Sequence, residues 1–351
     1  MANNKHSNQK DDASIIESSY SGIDSELERS LRPSRFSQII GRKKEKHNLK
    51  IMIDAALKRG ESLDHVIFYG PPGLGKTTLA YVIAKELKSD IIVTSGPAIE
   101  RQGDLASILT NIPRFGILFI DEIHRLQRSV EEILYPAMED RAIDIIIGKG
   151  PSARSIRLEL EDFTIIGATT RIGLLGAPLR NRFGASYRLD FYSVDDLKQM
   201  VKQKASLLNV SIKDDAALEI AKRSRGTART SIRLLRRVRD YVDVRNLDKI
   251  QKDVVQRVLA MHEIDEVGLD SIDRKILRLI VLDFSGGPVG LSTIAAALSE
   301  ELNTIAEVYE PYLIQSGFIK RTPRGRVVTR KGYKHIGMSY EENSEEQKKL
   351  V

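Results

Sequence analysis

The sequence predicts an α/β protein in three folded parts: a domain on a parallel sheet, a small all-helical unit, and a winged helix. Three observations carry this prediction. Between roughly Arg42 and Ser193, continuous apolar runs alternate with helical stretches, the pattern of a parallel sheet covered on both faces. From Val194 to about Met261 only helical periodicity remains. From about Ser271, three helical stretches precede two short strands. At 351 residues, more than one core is expected. The bounds we assign are 26–192, 193–263 and 264–338, between polar tails at 1–25 and 339–351.

Taken in order, the first tail is rich in Asn, Lys, Ser and Asp without apolar periodicity, so it is expected to be disordered. His65–Tyr69, Ile91–Thr94, Ile117–Ile120 and Phe163–Gly167 are predicted buried strands. Ile143–Ile147 and Ser155–Leu160 flank the turn Gly148-Lys149-Gly150-Pro151, which predicts a projecting hairpin. Helices are expected over Asp195–Leu208, Asp215–Ser224 and Thr230–Val242. In the last part Pro311 is expected to kink the third helix or end it at Glu310. Phe318–Thr329 reads as two strands around Thr322-Pro323-Arg324-Gly325. The second tail, with Glu341, Glu342, Glu345 and Glu346, reads as a solvated end. No internal repeat is evident.

Composition narrows the class. The 55 Lys and Arg against 48 Asp and Glu leave +7, which permits nucleic acid as a partner without requiring it. Absence of cysteine excludes disulfides and thiolate metal sites and suits a cytoplasmic protein. No apolar run approaches a membrane span, and Met1–Ser14 lacks the apolar core of a signal peptide.

The strongest motif is Gly70-Pro71-Pro72-Gly73-Leu74-Gly75-Lys76-Thr77, between a predicted strand and helix formers. It fits the phosphate-binding P-loop. Glycines Gly73 and Gly75 let backbone N–H groups curl around phosphates, and the helix N-terminus adds a favourable dipole. Lys76 is expected on the β- and γ-phosphates of ATP, with the Thr77 hydroxyl on Mg²⁺. An apolar strand then delivers Asp121 and Glu122 at its end. Asp121 is expected to hold the metal shell, and Glu122 to deprotonate the attacking water. Either Thr169 or Thr170, at the end of a neighbouring strand, can position that water. Arg180 and Arg182 lie near the end of the domain, and an arginine supplied to a neighbouring subunit would stabilise transition-state charge. Arg229 opens a helix that also carries Arg233, Arg236, Arg237 and Arg239; it can reach a γ-phosphate, whereas the later four read as a solvated face.

Together these residues resemble the AAA+ superfamily. Leu31-Arg32-Pro33, Gly148–Arg157, Gly167–Arg171, Ala177–Gly184, Arg233–Asp240 and Arg321–Arg326 narrow the resemblance to its RuvB family of Holliday-junction branch-migration ATPases. The resemblance spans about residue 31 to 338. It implies that Leu31, Arg32, Gly73, Lys76, Thr77, Thr78 and Tyr192 line the nucleotide pocket, and that Glu139, Asp140 and Arg141 lie in a nucleotide-contacting segment. It makes Arg182 the arginine finger, Arg229 the second sensor, and Thr169 or Thr170 the first. It implies a hexameric ring, RuvA docked on the Ile143–Leu160 hairpin, RuvC as downstream partner, and DNA contacts by Arg321 and Arg326. Two positions depart from the family pattern. Ala228 replaces a usual proline and is expected to loosen the turn before Arg229, and Arg42 replaces a usual glutamine.

DNA contact is also expected without the family. Lys320, Arg321, Arg324, Arg326, Arg330, Lys331 and Lys334 occur with no acid between Phe318 and His335, which suits phosphate contacts that do not read sequence. The activity expected is ATP hydrolysis that drives DNA movement in recombination and repair. Alternatives are a clamp-loader or initiator-like ATP switch, a protein-remodelling unfoldase, and a winged-helix regulator with a dead ATP site. Intact Lys76, Asp121, Glu122 and Arg182 speak against the last.

Overall fold

Residues 31–147 and 154–340 are described by the computed structural model. The tail at 1–25, the turn Gly148-Lys149-Gly150-Pro151 and the tail beyond Tyr340 lie outside the described residues. Packing divides the rest into two units. One holds residues 31–68, 76–169 and 173–187; the other holds 69–75, 170–172 and 188–340.

The first unit is built on a five-stranded sheet. Its elements run α1 (Lys43–Arg59), β1 (Val66–Tyr69), α2 (Lys76–Leu87), β2 (Ile91–Ser95), α3 (Gln102–Thr110), β3 (Ile117–Asp121), α4 (Arg128–Glu139), β4 (Ala142–Ile147), β5 (Arg154–Glu159), β6 (Thr164–Thr169), α5 (Ala177–Asn181) and β7 (Ala185–Arg188). The strand order is β2-β3-β6-β1-β7, with β2, β3 and β6 parallel. Ile117, Leu118, Phe119 and Ile120 are fully buried, as are Ile67, Phe68, Ile165 and Ile166. Those uninterrupted apolar runs are what a strand needs when helices cover both its faces.

Two strands depart from expectation. Ile91–Thr94 was expected to be buried, but β2 is the sheet edge, and its Val93 is 46% exposed. The opposite edge, β7, was not foreseen. Its Ala-Ser-Tyr-Arg segment has no apolar run, and Tyr187 stacks on Phe68 at 5.8 Å between ring centroids. The hairpin forms as expected: β4 and β5 pair antiparallel from Ala142↔Glu159 to Ile147↔Arg154 as a separate two-stranded sheet. Ile143 is buried at its base, whereas Ile156 is 44% exposed further out.

The second unit carries two apolar cores. The first gathers α6 (Val194–Leu207), α7 (Asp214–Lys222), α8 (Ala228–Val244) and α9 (Lys252–Met261) around Leu234, Leu235, Val238, Val255 and Leu259. Here α8 starts cleanly despite Ala228, because Thr227 caps it by accepting from Thr230 N–H, the usual service of a threonine at that position. The turn expected to loosen is therefore held. The second core gathers α10 (Ser271–Leu282), α11 (Leu291–Leu298), α12 (Leu302–Thr304), α13 (Glu310–Gln315), β8 (Ile319–Thr322), β9 (Gly325–Val328) and α14 (Arg330–His335) around Ile276, Ile280, Leu313 and Phe318. This is the winged helix.

Pro311 does not end its helix at Glu310. A π-helical stretch, Ile305–Tyr309, joins α12 to α13, and Pro311 sits in the first turn of α13. Proline lacks an N–H, and its ring crowds the carbonyl one turn back. A widened turn before it relieves that crowding and keeps the path helical.

Candidate nucleotide and DNA sites

The chain leaves β1 at Tyr69, turns through Gly70–Gly75 and enters α2 at Lys76. Gly70, Gly73 and Gly75 have φ of 141°, 77° and 91°, conformations that cost a side chain dearly. A Cβ on Gly70 would lie 2.3 Å from Leu189 O, and one on Gly73 would lie 3.1 Å from Arg229 Cβ. The second unit therefore wraps this loop closely. Arg229 N–H donates to Gly73 O at 3.2 Å, and the Tyr192 hydroxyl donates to Leu74 O at 3.3 Å. Tyr192 N–H in turn donates to Gly226 O at 2.9 Å. Thus Gly73, Tyr192 and Arg229 come together in the second unit. Lys76, buried to 7% exposure, opens α2, followed by Thr77 and Thr78. The first N–H groups of a helix have no acceptor within it, so the loop presents donors where a phosphate would sit.

In the first unit, Leu31 is buried, and the Arg32 guanidinium lies 5.0 Å from the centroid of the Tyr81 ring on α2. Asp121 ends β3, and its Oδ1 accepts from Glu122 N–H at 3.0 Å. Glu122 then adopts a left-handed φ of 45°, which swings its side chain off the strand direction. Such a backbone costs about 1–3 kcal/mol and tends to persist at working sites. The Glu122 carboxylate meets His124, with Oε2 3.2 Å from Nδ1, and Thr169 Oγ1 lies 2.8 Å from the same nitrogen. Of the two strand-end threonines, Thr169 is thereby tied to Glu122. Thr170 falls in the other unit. Sequence reasoning missed His124; its signal was the position directly after Asp121-Glu122-Ile123.

Glu139, Asp140 and Arg141 are partnered separately. Glu139 Oε2 accepts from Arg182 Nη2 at 2.9 Å, and the Arg182 guanidinium lies 4.6 Å from the Tyr135 ring centroid. Arg182 Nη1 donates to Pro178 O at 2.8 Å, so α5 and α4 hold the guanidinium between them. Asp140 accepts from Arg157 of the hairpin at 3.4 Å. Arg141 donates to Phe163 O at 2.8 Å, and beside it burial lowers the His65 ring to about 4. Within its own chain Arg141 closes the corner between α4 and β6, a structural duty.

The wing separates its two arginines. Arg321 and Arg326 are cross-strand partners on β8 and β9, where like charges repel. Arg321 stays exposed, with Lys320, Arg324, Arg330, Lys331 and Lys334. Arg326 instead turns to Glu310, donating to both carboxylate oxygens at 2.7 and 3.0 Å, with side chains 13% and 9% exposed. Arg326 therefore anchors the wing to α13. Removing one partner strands a buried charge, so Arg326→Ala should cost about 3–5 kcal/mol. Thermal melting of the full chain checks this: the single variant should melt early, and Glu310→Leu with Arg326→Leu should recover most of the loss. Unchanged melting of Arg326→Ala would dismiss the anchor.

Comparison with known proteins adds a decisive finding. The family model of the Holliday junction DNA helicase RuvB P-loop domain matches residues 31–189. The RuvB AAA lid domain matches 192–265, and the RuvB C-terminal winged helix domain matches 266–337. The chain belongs to the RuvB family. A curated Holliday junction branch migration complex subunit RuvB from Dehalococcoides mccartyi is 57% identical over 327 residues, covering 93% of this chain and 94% of its own. The solved Thermotoga maritima RuvB Holliday junction branch migration motor superposes with a TM-score of 0.82 at 51% identity, over 89% of this chain and all of that one. A mutant of T. maritima RuvB gives 0.83 at 52% identity, over 89% of this chain and 99% of that one. The AAA+ P-loop fold, helical lid and winged helix follow for this chain, and with them nucleotide binding.

Proposed function

We propose that the protein is an ATP-driven motor that moves Holliday junctions along DNA in recombination and repair, as a hexameric ring working with RuvA and ahead of RuvC in the cytoplasm. One observation carries the reading: the nucleotide loop and the DNA-binding wing belong to one compact unit, joined by a short segment. At one end of it Arg229 N–H holds Gly73 O. At the other, Arg225 donates to Gly268 O at 2.8 Å and Asp270 Oδ2 at 2.7 Å, pairs with buried Asp273, and faces the Tyr312 ring at 5.5 Å. A change felt at the P-loop thus has a direct route into α10 of the winged helix. No described helix is long and apolar enough to cross a membrane.

In this reading Lys76 and the loop N–H groups bind the phosphates of ATP, and Arg229 senses the γ-phosphate. Thr77 and Asp121, a hydroxyl and a carboxylate, are the hard oxygen donors Mg²⁺ favours, and such ions commonly rest on one or two side chains plus phosphates. Mg²⁺, when bound, neutralises charge on those phosphates. Glu122 takes the proton of the attacking water, and Arg182 acts on the nucleotide of a neighbouring subunit. The hairpin with exposed Ile156 suits docking by RuvA. The test is ATP- and RuvA-dependent dissociation of a synthetic four-way junction. A folded preparation that hydrolyses ATP but never moves the junction, with active RuvA present, would favour a clamp-loader-like switch instead.

DNA contact itself is tested at the wing. Arg321→Ala should weaken binding to unrelated duplexes equally and lower the slope of log affinity against log salt by about 1. Sequence-dependent losses would argue against phosphate contact.

A further inference from the structure

The group that joins Glu122 to Thr169 has no assigned role in the motifs. His124 sits in the single 3₁₀ turn Ile123–Arg125, with its side chain only 7% exposed. Its Nδ1 faces two oxygens, Glu122 Oε2 at 3.2 Å and Thr169 Oγ1 at 2.8 Å. A ring nitrogen is either an N–H donor or a lone-pair acceptor. With hydrogen on Nδ1, the ring donates to carboxylate and hydroxyl oxygen, and the Thr169 O–H is left to point elsewhere. With Nδ1 bare, the ring accepts the Thr169 O–H, and the carboxylate faces a lone pair. One atom therefore lies against both the carboxylate and the hydroxyl. The two oxygens come from the ends of adjacent parallel strands, β3 and β6, so the ring also bridges the strand ends.

We propose that His124 is a positioning residue for hydrolysis: through Nδ1 it fixes the Glu122 carboxylate against Thr169, so the aim of the base depends on what the Thr169 hydroxyl engages. The ring itself gains and loses no proton in the reaction. As water oxygen bonds to the γ-phosphorus and the bond to the β–γ bridging oxygen breaks, the water proton passes to Glu122. The proposal rests on Glu122 being the base, and the experiment separates the two.

Steady-state ATP hydrolysis by the full chain is measured for His124→Ala, His124→Gln and His124→Asn, with Mg²⁺, alongside binding of a fluorescent ADP analogue. Asparagine places an amide near the position of Nδ1; glutamine places it near Nε2. We expect Ala and Gln to lower kcat roughly 10- to 100-fold, with KM and ADP-analogue affinity within about twofold of wild type. Asn should recover most of the turnover. Thr169→Val should cost less in the His124→Ala background than in wild type, because the two act as one unit. Wild-type turnover in His124→Ala, equal turnover in the Asn and Gln variants, or full additivity with Thr169→Val would each overturn the proposal. So would loss of nucleotide affinity in step with kcat, the mark of a purely structural histidine. Should His124→Ala fold poorly, the Asn and Gln pair decides. Normal hydrolysis by Glu122→Gln would remove the base assignment beneath the proposal; a slow Glu122→Gln beside a normal His124→Ala would remove His124 alone.

Discussion

Arg182→Ala is expected to cut ATP turnover by about 10³-fold or more, the typical worth of a transition-state arginine, while mixing it with Lys76→Ala restores part of the activity. The guanidinium is already oriented in its own chain. Tyr135 supports one face at 4.6 Å, and Glu139 and Pro178 O take its Nη groups at 2.9 and 2.8 Å. Its side chain is 22% exposed, so it is held at the surface rather than within its own core. A pre-held planar fork loses little entropy on meeting phosphate. In the proposed ring it acts across a subunit boundary, and each site is a product of two chains. In the mixture, a Lys76→Ala subunit supplies Arg182 to an Arg182→Ala neighbour that still binds ATP, and some interfaces become whole. ATP hydrolysis with junction DNA and RuvA, for each variant and the mixture, measures this. A mixture as inactive as its components would place the arginine in its own chain's site, and normal turnover by Arg182→Ala would end its role.

Glu122→Gln should lower kcat by roughly 10²- to 10⁴-fold, the usual contribution of a positioned base, while leaving nucleotide affinity nearly unchanged. Backbone geometry points the two neighbouring acids in different directions. Asp121 completes β3 with its carboxylate bonded to the next N–H, whereas the left-handed φ of 45° at Glu122 turns that side chain toward His124. An amide keeps the size and a hydrogen bond but cannot accept the water proton. Single-turnover hydrolysis paired with ADP-analogue binding separates chemistry from affinity. Hydrolysis within about tenfold of wild type would point to another base.

What was legible in the sequence is chemistry that tolerates no substitute. Backbone donors can surround phosphate only where glycines permit φ of 77° and 91° at Gly73 and Gly75, so the loop declares itself by spacing. Buried parallel strands declare themselves as apolar runs, which is why β1, β3 and β6 were readable. The edges were not. In β2 the same apolar run lies half in solvent, and β7 offers no apolar run, only Tyr187 stacked on Phe68 and backbone bonds at its ends. Partnerships across long separations were also hidden. Arg326 and Glu310 stand 16 residues apart, and His124 and Thr169 stand 45 apart. The pattern identified Arg326 as basic, but only the fold shows its charge spent inside the wing. At Ala228 the helix start is secured by the neighbouring threonine, which accepts from Thr230 N–H.

The segment from Arg225 to Arg229 has a consequence for how the two ligands must address one another. Its backbone holds the P-loop at Gly73, and its first side chain holds the start of the winged helix at Asp270 and Asp273. Where one element carries the energetic connection between two sites, linkage is reciprocal. Whatever factor ATP imposes on the affinity for DNA, DNA must impose on the affinity for ATP. If the proposed motor couples its ligands through this segment, a substitution that slackens Arg225 would diminish both factors together.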